Sequence, residues 1–147
     1  MKISITAEKI KEIAQELEMG MQCYYHISTG ETVSVPDELK SGESYDEALW
    51  KDELKKIKQH RSQYICFEAP GSRDGFSMME QFTQGITQAA TRNRLLEKLE
   101  ARKPFSGFRQ ALEHYPEQLE QWYQFKSNQY MQWVQRQLDA YNFSAED

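Results

Sequence analysis

Residues 104–143 read PFSGFRQALEHYPEQLEQWYQFKSNQYMQWVQRQLDAYNF and contain ten of the eighteen Phe, Trp and Tyr residues in this 147-residue chain. Rings of this size gain most when they leave water, so the segment must bury most of them. Pro104 and Pro116 each suit the first turn of a helix. In the second helix, large apolar residues recur every three or four positions: Leu119, Trp122, Tyr123, Tyr130, Trp133, Val134, Leu138 and Tyr141. These predict one broad buried face that covers a sheet or other helices.

The first twenty residues predict another amphipathic helix. Thr6 can cap its start, and Gly20 can end it in a left-handed turn. Its apolar positions follow the spacing i, i+3, i+4, i+7: Ile10, Ile13, Ala14 and Leu17. This spacing predicts a helix of about four turns with one apolar face.

After Gly20 the apolar period changes to two, which predicts a β-hairpin. Met21, Cys23, Tyr25 and Ile27 alternate with polar residues or Tyr24, and the alternation resumes with Val33 and Val35. Gly30 can supply the positive φ that the connecting loop requires. We expect a hairpin with one buried face.

The rest of the chain predicts one further strand and more helices. Ser44 and Glu47 match a capping box ahead of a helix that runs to about Arg61, and residues 37–43 predict a surface loop. Tyr64–Phe67 predicts a third strand. Beyond it, Ser72 or Asp74 can cap a helix that breaks at Gly85 and is followed by another.

Together, these patterns predict an α+β fold. A small antiparallel sheet of about three strands, a hairpin plus one strand, packs with five to six helices, and the C-terminal half is helical. We expect residues 1–147 to form a single domain, because this length suits one core.

Charge and cysteine usage restrict the classes of function. Twenty-three acidic and eighteen basic side chains give a net charge of −5, which favours solubility and disfavours general binding to phosphate backbones. Cys23 and Cys66 lie in predicted strands and resemble small buried hydrophobic residues more than a disulfide or a catalytic thiol. Since no segment resembles a signal peptide or a transmembrane span, we expect a cytoplasmic protein that does not bind a membrane.

The sequence contains no recognisable catalytic or metal-binding motif. His26, His60 and His114 are far apart, and no His or Cys pair has the spacing of metal ligands. Cys23 and His26 would point to opposite faces of a strand, which argues against a catalytic dyad. We therefore expect no cofactor, no metal and a non-enzymatic role, although an active site could still converge from distant positions in a cleft.

A basic segment is the strongest functional pattern. Six cations stand against only Glu97 and Glu100: Arg92, Arg94, Lys98, Arg102, Lys103 and Arg109. Beside Phe105 and Phe108 they resemble the mixture of cations and stackable rings that binds RNA or other single-stranded nucleic acid. The alternative is that the two rings anchor the core, while the cations cover apolar surface with their stems or pair with acids.

The chain also resembles an uncharacterised family of small bacterial proteins of unknown function. The resemblance rests on Thr29–Val33, Tyr64–Phe67, Met79–Phe82 and, most firmly, on Phe105–Arg109 followed by Trp122–Phe125. It implies a single α+β domain and brings no activity, cofactor or partner. Typical members have Phe-Arg-x-Phe-Lys where this chain has Ser106 in place of the first arginine, which weakens any proposal of a shared anion-binding arginine cluster.

The interpretation that fits these patterns best is a non-enzymatic interaction or regulatory domain. Phe125, Met131 and Phe143 lie off the main apolar face of the last helix and are candidates to bind a protein partner or a second copy of the chain. The alternative is that flanking helices cover them. Nucleic-acid binding by the basic segment is the second interpretation.

Overall fold

The computed structural model describes residues 2–37 and 47–145 and confirms the α+β class. The helices are α1 (Ala7–Glu18), α2 (Lys51–Gln59), α3 (Ser72–Gln84), α4 (Ala89–Leu99), α5 (Pro104–Leu112) and α6 (Pro116–Ala145). The strands are β1 (Met21–His26), β2 (Thr32–Pro36) and β3 (Tyr64–Phe67). Short 3-10 helices span Glu47–Trp50 and Arg61–Gln63. The predicted loop at residues 37–43 and the Ser44–Glu47 capping box fall mainly outside the described residues.

The chain divides into two compact units. One consists of residues 1–69 and 130–147, and the other of residues 70–129. The first part of α6 therefore belongs to the second unit, and the remainder of α6 belongs to the first. That residues 1–147 form a single domain stays a prediction.

In the first unit, α1 and the hairpin form as the local sequence predicts. Thr6 Oγ1 accepts a hydrogen bond from the Lys9 backbone N–H, and Gly20 has a φ of +85° just after the helix end. Gly30 has a φ of +76° in the hairpin loop, which an L-residue adopts only with strain. The loop is further held by His26, whose Nδ1 accepts hydrogen bonds from the backbone N–H groups of Ser28 and Thr29.

The sheet has the order β2-β1-β3, and both pairs of strands are antiparallel. The prediction of one buried face is wrong, because both faces carry buried residues. Cys23 and Phe67 pack with α1 and the end of α6, whereas Tyr24 and Val35 pack with Ile57 of α2. The hairpin register pairs Tyr24 with Val33, which places Val33 and Val35 on the face opposite Cys23.

The cysteines lie on these opposite faces and form no disulfide. Cys23 is paired with Phe67, and Cys66 is paired with Tyr24, so the two thiols point to different sides of the sheet. Cys23 is fully buried, as predicted, whereas Cys66 is only half-buried. The geometry therefore supports the interpretation of Cys23 as a small core residue.

The end of β3 is held by side chains of α6. Gln137 Oε1 accepts a hydrogen bond from the Glu68 backbone N–H, and Gln137 Nε2 donates to the Glu68 carbonyl, both at 3.0 Å. Trp133 Nε1 donates to the same carbonyl at 2.7 Å. The Gln137 carboxamide thus pairs with the main chain of Glu68 in the way that a neighbouring strand would.

In the second unit, the helices pack around one core cluster, which comprises Met79, Phe82, Ile86, Leu95, Leu99, Phe108, Ala111 and Leu112. The break at Gly85 is confirmed, because α3 ends there. The predicted side-chain cap is wrong, since Gly71 occupies the N-cap position and Ser72 is already helical. Tyr123 is 52% exposed, so its predicted place in the buried face of α6 is also wrong.

Candidate functional site

The basic segment occupies α4, α5 and their connection. We call its six cations, Arg92, Arg94, Lys98, Arg102, Lys103 and Arg109, the basic face. Arg92 and Lys98 are half-buried, and the other four are exposed. In the sequence, residues 70–129 carry eight basic and seven acidic side chains, whereas the rest of the chain carries ten and sixteen. The basic face thus belongs to the less acidic of the two units.

Within the described residues, no cation of the basic face has a carboxylate oxygen within 4.0 Å. Elsewhere such pairs do form, between Lys9 and Glu12 at 3.2 Å and between Lys56 and Glu31 at 3.7 Å. Arg92 is held differently, because its Nη1 donates to the Ile86 carbonyl at 2.9 Å. The expectation that these cations pair with the abundant acids is therefore not met in the described part of the chain.

Lys98 partly fits the alternative that these cations cover apolar surface with their stems, because its methylene groups pack against α5. A Cβ placed on Gly107 would lie 3.8 Å from Lys98 Cδ and 3.8 Å from the Lys98 carbonyl oxygen. The Lys98 stem therefore lies within van der Waals reach of Gly107 on α5. A lysine in this arrangement covers apolar surface with its methylene groups and keeps its ammonium group in water.

The two rings of the segment have different environments. Phe108 is 1% exposed and is a core anchor of the second unit. Phe105 is 46% exposed, and its Cε1 lies 3.4 Å from where a Cβ on Gly75 would be, so one side of the ring rests on α3. Because Phe105 and Arg109 are four residues apart on α5, they share a helix face. Phe105 is therefore the ring available beside the cations.

The three residues predicted to bind a partner are not equally accessible. Phe125 is half-buried and packs against Phe82 and Trp122, with ring centroids 5.5 and 6.1 Å away. Met131 is half-buried and packs against the core of the first unit. Phe143 is 75% exposed. Binding by these residues stays a prediction, and Phe143 is the one whose ring meets solvent most.

A groove in the second unit contains residues that the sequence motifs did not single out. It has a volume of about 420 Å³ and lies where the end of α3, the Gly85–Gln88 connection and the start of α6 meet. Four carboxamides line it, from Gln81, Gln88, Gln118 and Gln121, and we call it the glutamine groove. No motif signals it, because its members come from two separate stretches of the sequence, residues 81–88 and 117–125.

The first unit contains a larger cavity of about 470 Å³ along β3. Its walls include Tyr24, Tyr64, Arg61 and Cys66, together with residues of α6. Burial, followed by a hydrogen bond with Cys66, raises the pKa of Tyr24, so its hydroxyl stays protonated at neutral pH. That hydroxyl donates to Gln22 Oε1 at 3.3 Å, so it is already engaged within the protein.

Two further observations concern metals and membranes. Across residues 2–37 and 47–145, no group of three or more His, Cys, Asp or Glu side chains is placed to hold a metal ion. None of the helices in these ranges combines the length and apolar character that crossing a membrane requires.

Comparison with known proteins gives one family. Residues 39–146 match the Uncharacterised protein family (UPF0158). A UPF0158 protein of Pseudomonas aeruginosa is 23% identical over 126 residues, which cover 85% of this chain and 76% of that protein. No solved structure matches the chain. The predicted resemblance is confirmed, and since the match spans most of its length, the chain belongs to the uncharacterised family UPF0158.

Proposed function

We propose that the protein is a non-enzymatic binding domain whose basic face contacts single-stranded nucleic acid. The observation that carries the proposal is that six cations follow one another along α4, the α4–α5 connection and α5 without an ion pair to a described carboxylate, in a protein with a net charge of −5. Cations that remain unpaired are available to phosphates.

The partly exposed ring of Phe105 supports a single strand over a duplex. Single-strand binding combines a basic surface that follows the backbone with aromatic side chains on which unpaired bases stack. Phe105 shares a face of α5 with Arg109 and is 46% exposed. The bases of a duplex are already stacked on one another, so they would not use this ring.

The first test measures how salt affects binding of single-stranded RNA to the purified protein. Six phosphate contacts predict a slope of log affinity against log salt of about −4, which is a loss of about 250-fold between 50 and 200 mM salt. The double variant Arg94→Gln/Arg109→Gln removes two contacts and should reduce the slope to about −3. Fluorescence anisotropy with a labelled ten-nucleotide strand gives both slopes.

The matched control carries the same charge change in the other unit. Lys55→Gln/Lys58→Gln lies on the exposed side of α2 and should leave the slope unchanged. Equal effects of the two double variants would show that only net charge matters. No binding at micromolar protein in low salt would refute the nucleic-acid proposal outright.

A protein partner, or a second copy of the chain, is the second candidate. It rests on Phe143, whose ring is 75% exposed near the end of α6 and is therefore accessible to a partner. If the chain self-associates there, Phe143→Ser should shift the mass measured by light scattering to that of a monomer. A wild-type protein that is already monomeric at high concentration would exclude self-association.

We also propose that the protein works in the cytoplasm. Its two thiols are not joined in a disulfide, which fits a reducing compartment.

A further inference from the structure

The glutamine groove has a chemistry that phosphate binding does not explain. We propose that it holds an unpaired adenine base, an inference that rests on the proposed function of the neighbouring basic face. Its volume of about 420 Å³ lies within the range of small-ligand sites. Its walls supply uncharged polar groups and ring edges rather than cations.

The polar groups of the groove are carboxamides, which both donate and accept hydrogen bonds. Gln118 Nε2 donates to Gln88 Oε1 at 3.5 Å, and Thr87 Oγ1 donates to the same oxygen at 3.4 Å. At these distances the bonds are long and weak, so a ligand can replace them. Glutamine pairs with adenine in a bidentate way, accepting from N6 and donating to N7.

Aromatic side chains form the apolar part of the groove. Phe82 and Phe125 both line it, with their ring centroids 5.5 Å apart and their planes at 49°. Phe125 is half-buried and also stacks on Trp122 with an angle of 26° between the rings, which fixes its orientation. An unpaired base that enters the groove can pack against this ordered ring.

The charges favour a base inside the groove and a phosphate outside it. Among the described residues that line the groove, Glu117 is the one that carries a charge, and a carboxylate repels phosphate while it accepts from an exocyclic amine. Arg92, a member of the basic face, donates to the carbonyl of Ile86, which lines the groove. Its guanidinium therefore lies beside one residue of the groove wall, and we expect the backbone of a bound strand to pass there.

The first experiment titrates the ¹⁵N-labelled protein with adenosine and, separately, with uridine. Adenosine carries no phosphate, so this measurement does not depend on the basic face. We expect adenosine to shift the side-chain NH₂ signals of Gln88 and Gln118, and to bind at least about fivefold more tightly than uridine. Gln118→Leu should lose this preference, whereas Gln124→Leu, on the exposed side of α6 outside the groove, should keep it.

A second experiment separates the groove from the basic face with labelled ten-nucleotide strands of adenine or uracil. Gln118→Leu should abolish the preference for adenine and leave the salt slope unchanged. Arg94→Gln/Arg109→Gln should reduce the slope and keep the preference. Unaltered urea midpoints would establish that each variant is folded.

Two outcomes of the nucleoside titration would overturn the adenine site, namely no NH₂ shift with adenosine and an equal response to uridine. If adenosine gives no shift but a capped glutamine dipeptide does, the groove is a peptide site. Strand binding without base preference would overturn this inference and leave the proposed function standing. Adenosine binding without strand binding would refute the proposed function and leave the adenine site standing.

Discussion

Replacing Phe108 by alanine is expected to lower the free energy of unfolding by about 3–5 kcal/mol. Its ring is 1% exposed and belongs to the core cluster of the second unit. It meets Trp122 edge to face, with the ring centroids 5.2 Å apart and the planes at 79°. The variant would lose the burial of a large ring and an aromatic pair, and would leave a cavity that helices can close only in part. Urea unfolding followed by circular dichroism measures the change.

Phe105→Ala is the matched control, because it removes the same side chain three residues earlier on α5. Phe105 is 46% exposed, so its loss should cost about 1 kcal/mol or less. Equal losses from the two variants would contradict the placement of Phe108 in the core.

The proposal that residues 1–147 are one domain adds a further expectation, which is a single unfolding transition in both proteins. Two transitions, of which Phe108→Ala moves only one, would refute it.

The second large effect is a loss of stability in alkaline solution. Burial raises the pKa of the Cys23 thiol from 9.0 to about 11. The folded state therefore holds its proton more tightly than the unfolded state does. The contribution of the protonated Cys23 thiol to the free energy of unfolding is therefore fully present below pH 9. It is lost as the pH rises from 9 through 11, which lowers the free energy of unfolding by about 2–3 kcal/mol. Urea midpoints measured at steps from pH 8 to 11.5, in a phosphine reductant, would show this decline.

Cys23→Ala separates the thiol from other titrating groups. Burial also raises the pKa values of Tyr24 and Tyr130, so their contributions have the same sign and begin above pH 10. The variant should be less stable at pH 8 but should fall less steeply between pH 9 and 10. An unchanged profile would show that the Cys23 thiol does not titrate differently in the folded state.

Local signals in the sequence predicted most of the elements. Thr6 caps the start of α1, and Gly20 follows its end with a positive φ. Both features depend only on residues that are close in the sequence. Pro104 and Pro116 begin α5 and α6 for the same kind of reason. These features require no knowledge of the tertiary structure.

The buried faces of the sheet could not be predicted in this way. Alternation predicted one apolar set, but the register places Val33 beside Tyr24, and α2 covers that face. Register depends on how the loop closes, and cover depends on elements distant in the sequence. Tyr123 was misplaced for a related reason, since the spacing along a helix does not show how wide a face its neighbours cover.

The basic face and the glutamine groove also differ in how far the sequence predicts them. A run of cations is visible in the sequence, but whether acids neutralise it depends on where Glu97, Glu100 and more distant carboxylates lie in the folded chain. The glutamine groove assembles from residues 81–88 and 117–125, which meet only through packing. A sequence of scattered glutamines gives no indication of such a site.

The discontinuity of the first unit has a consequence for synthesis on the ribosome. Val134 and Leu138 are completely or almost completely buried in the same cluster as Ile13 of α1, yet all of residues 70–129 are translated between them. The nascent chain therefore exposes the apolar side of α1 and β1 until the last turns of α6 emerge. Residues 70–129 form one continuous stretch, so the second unit can bury its core as soon as that stretch has emerged. Chaperones that guard emerging polypeptides should engage the N-terminal third of this chain for longest.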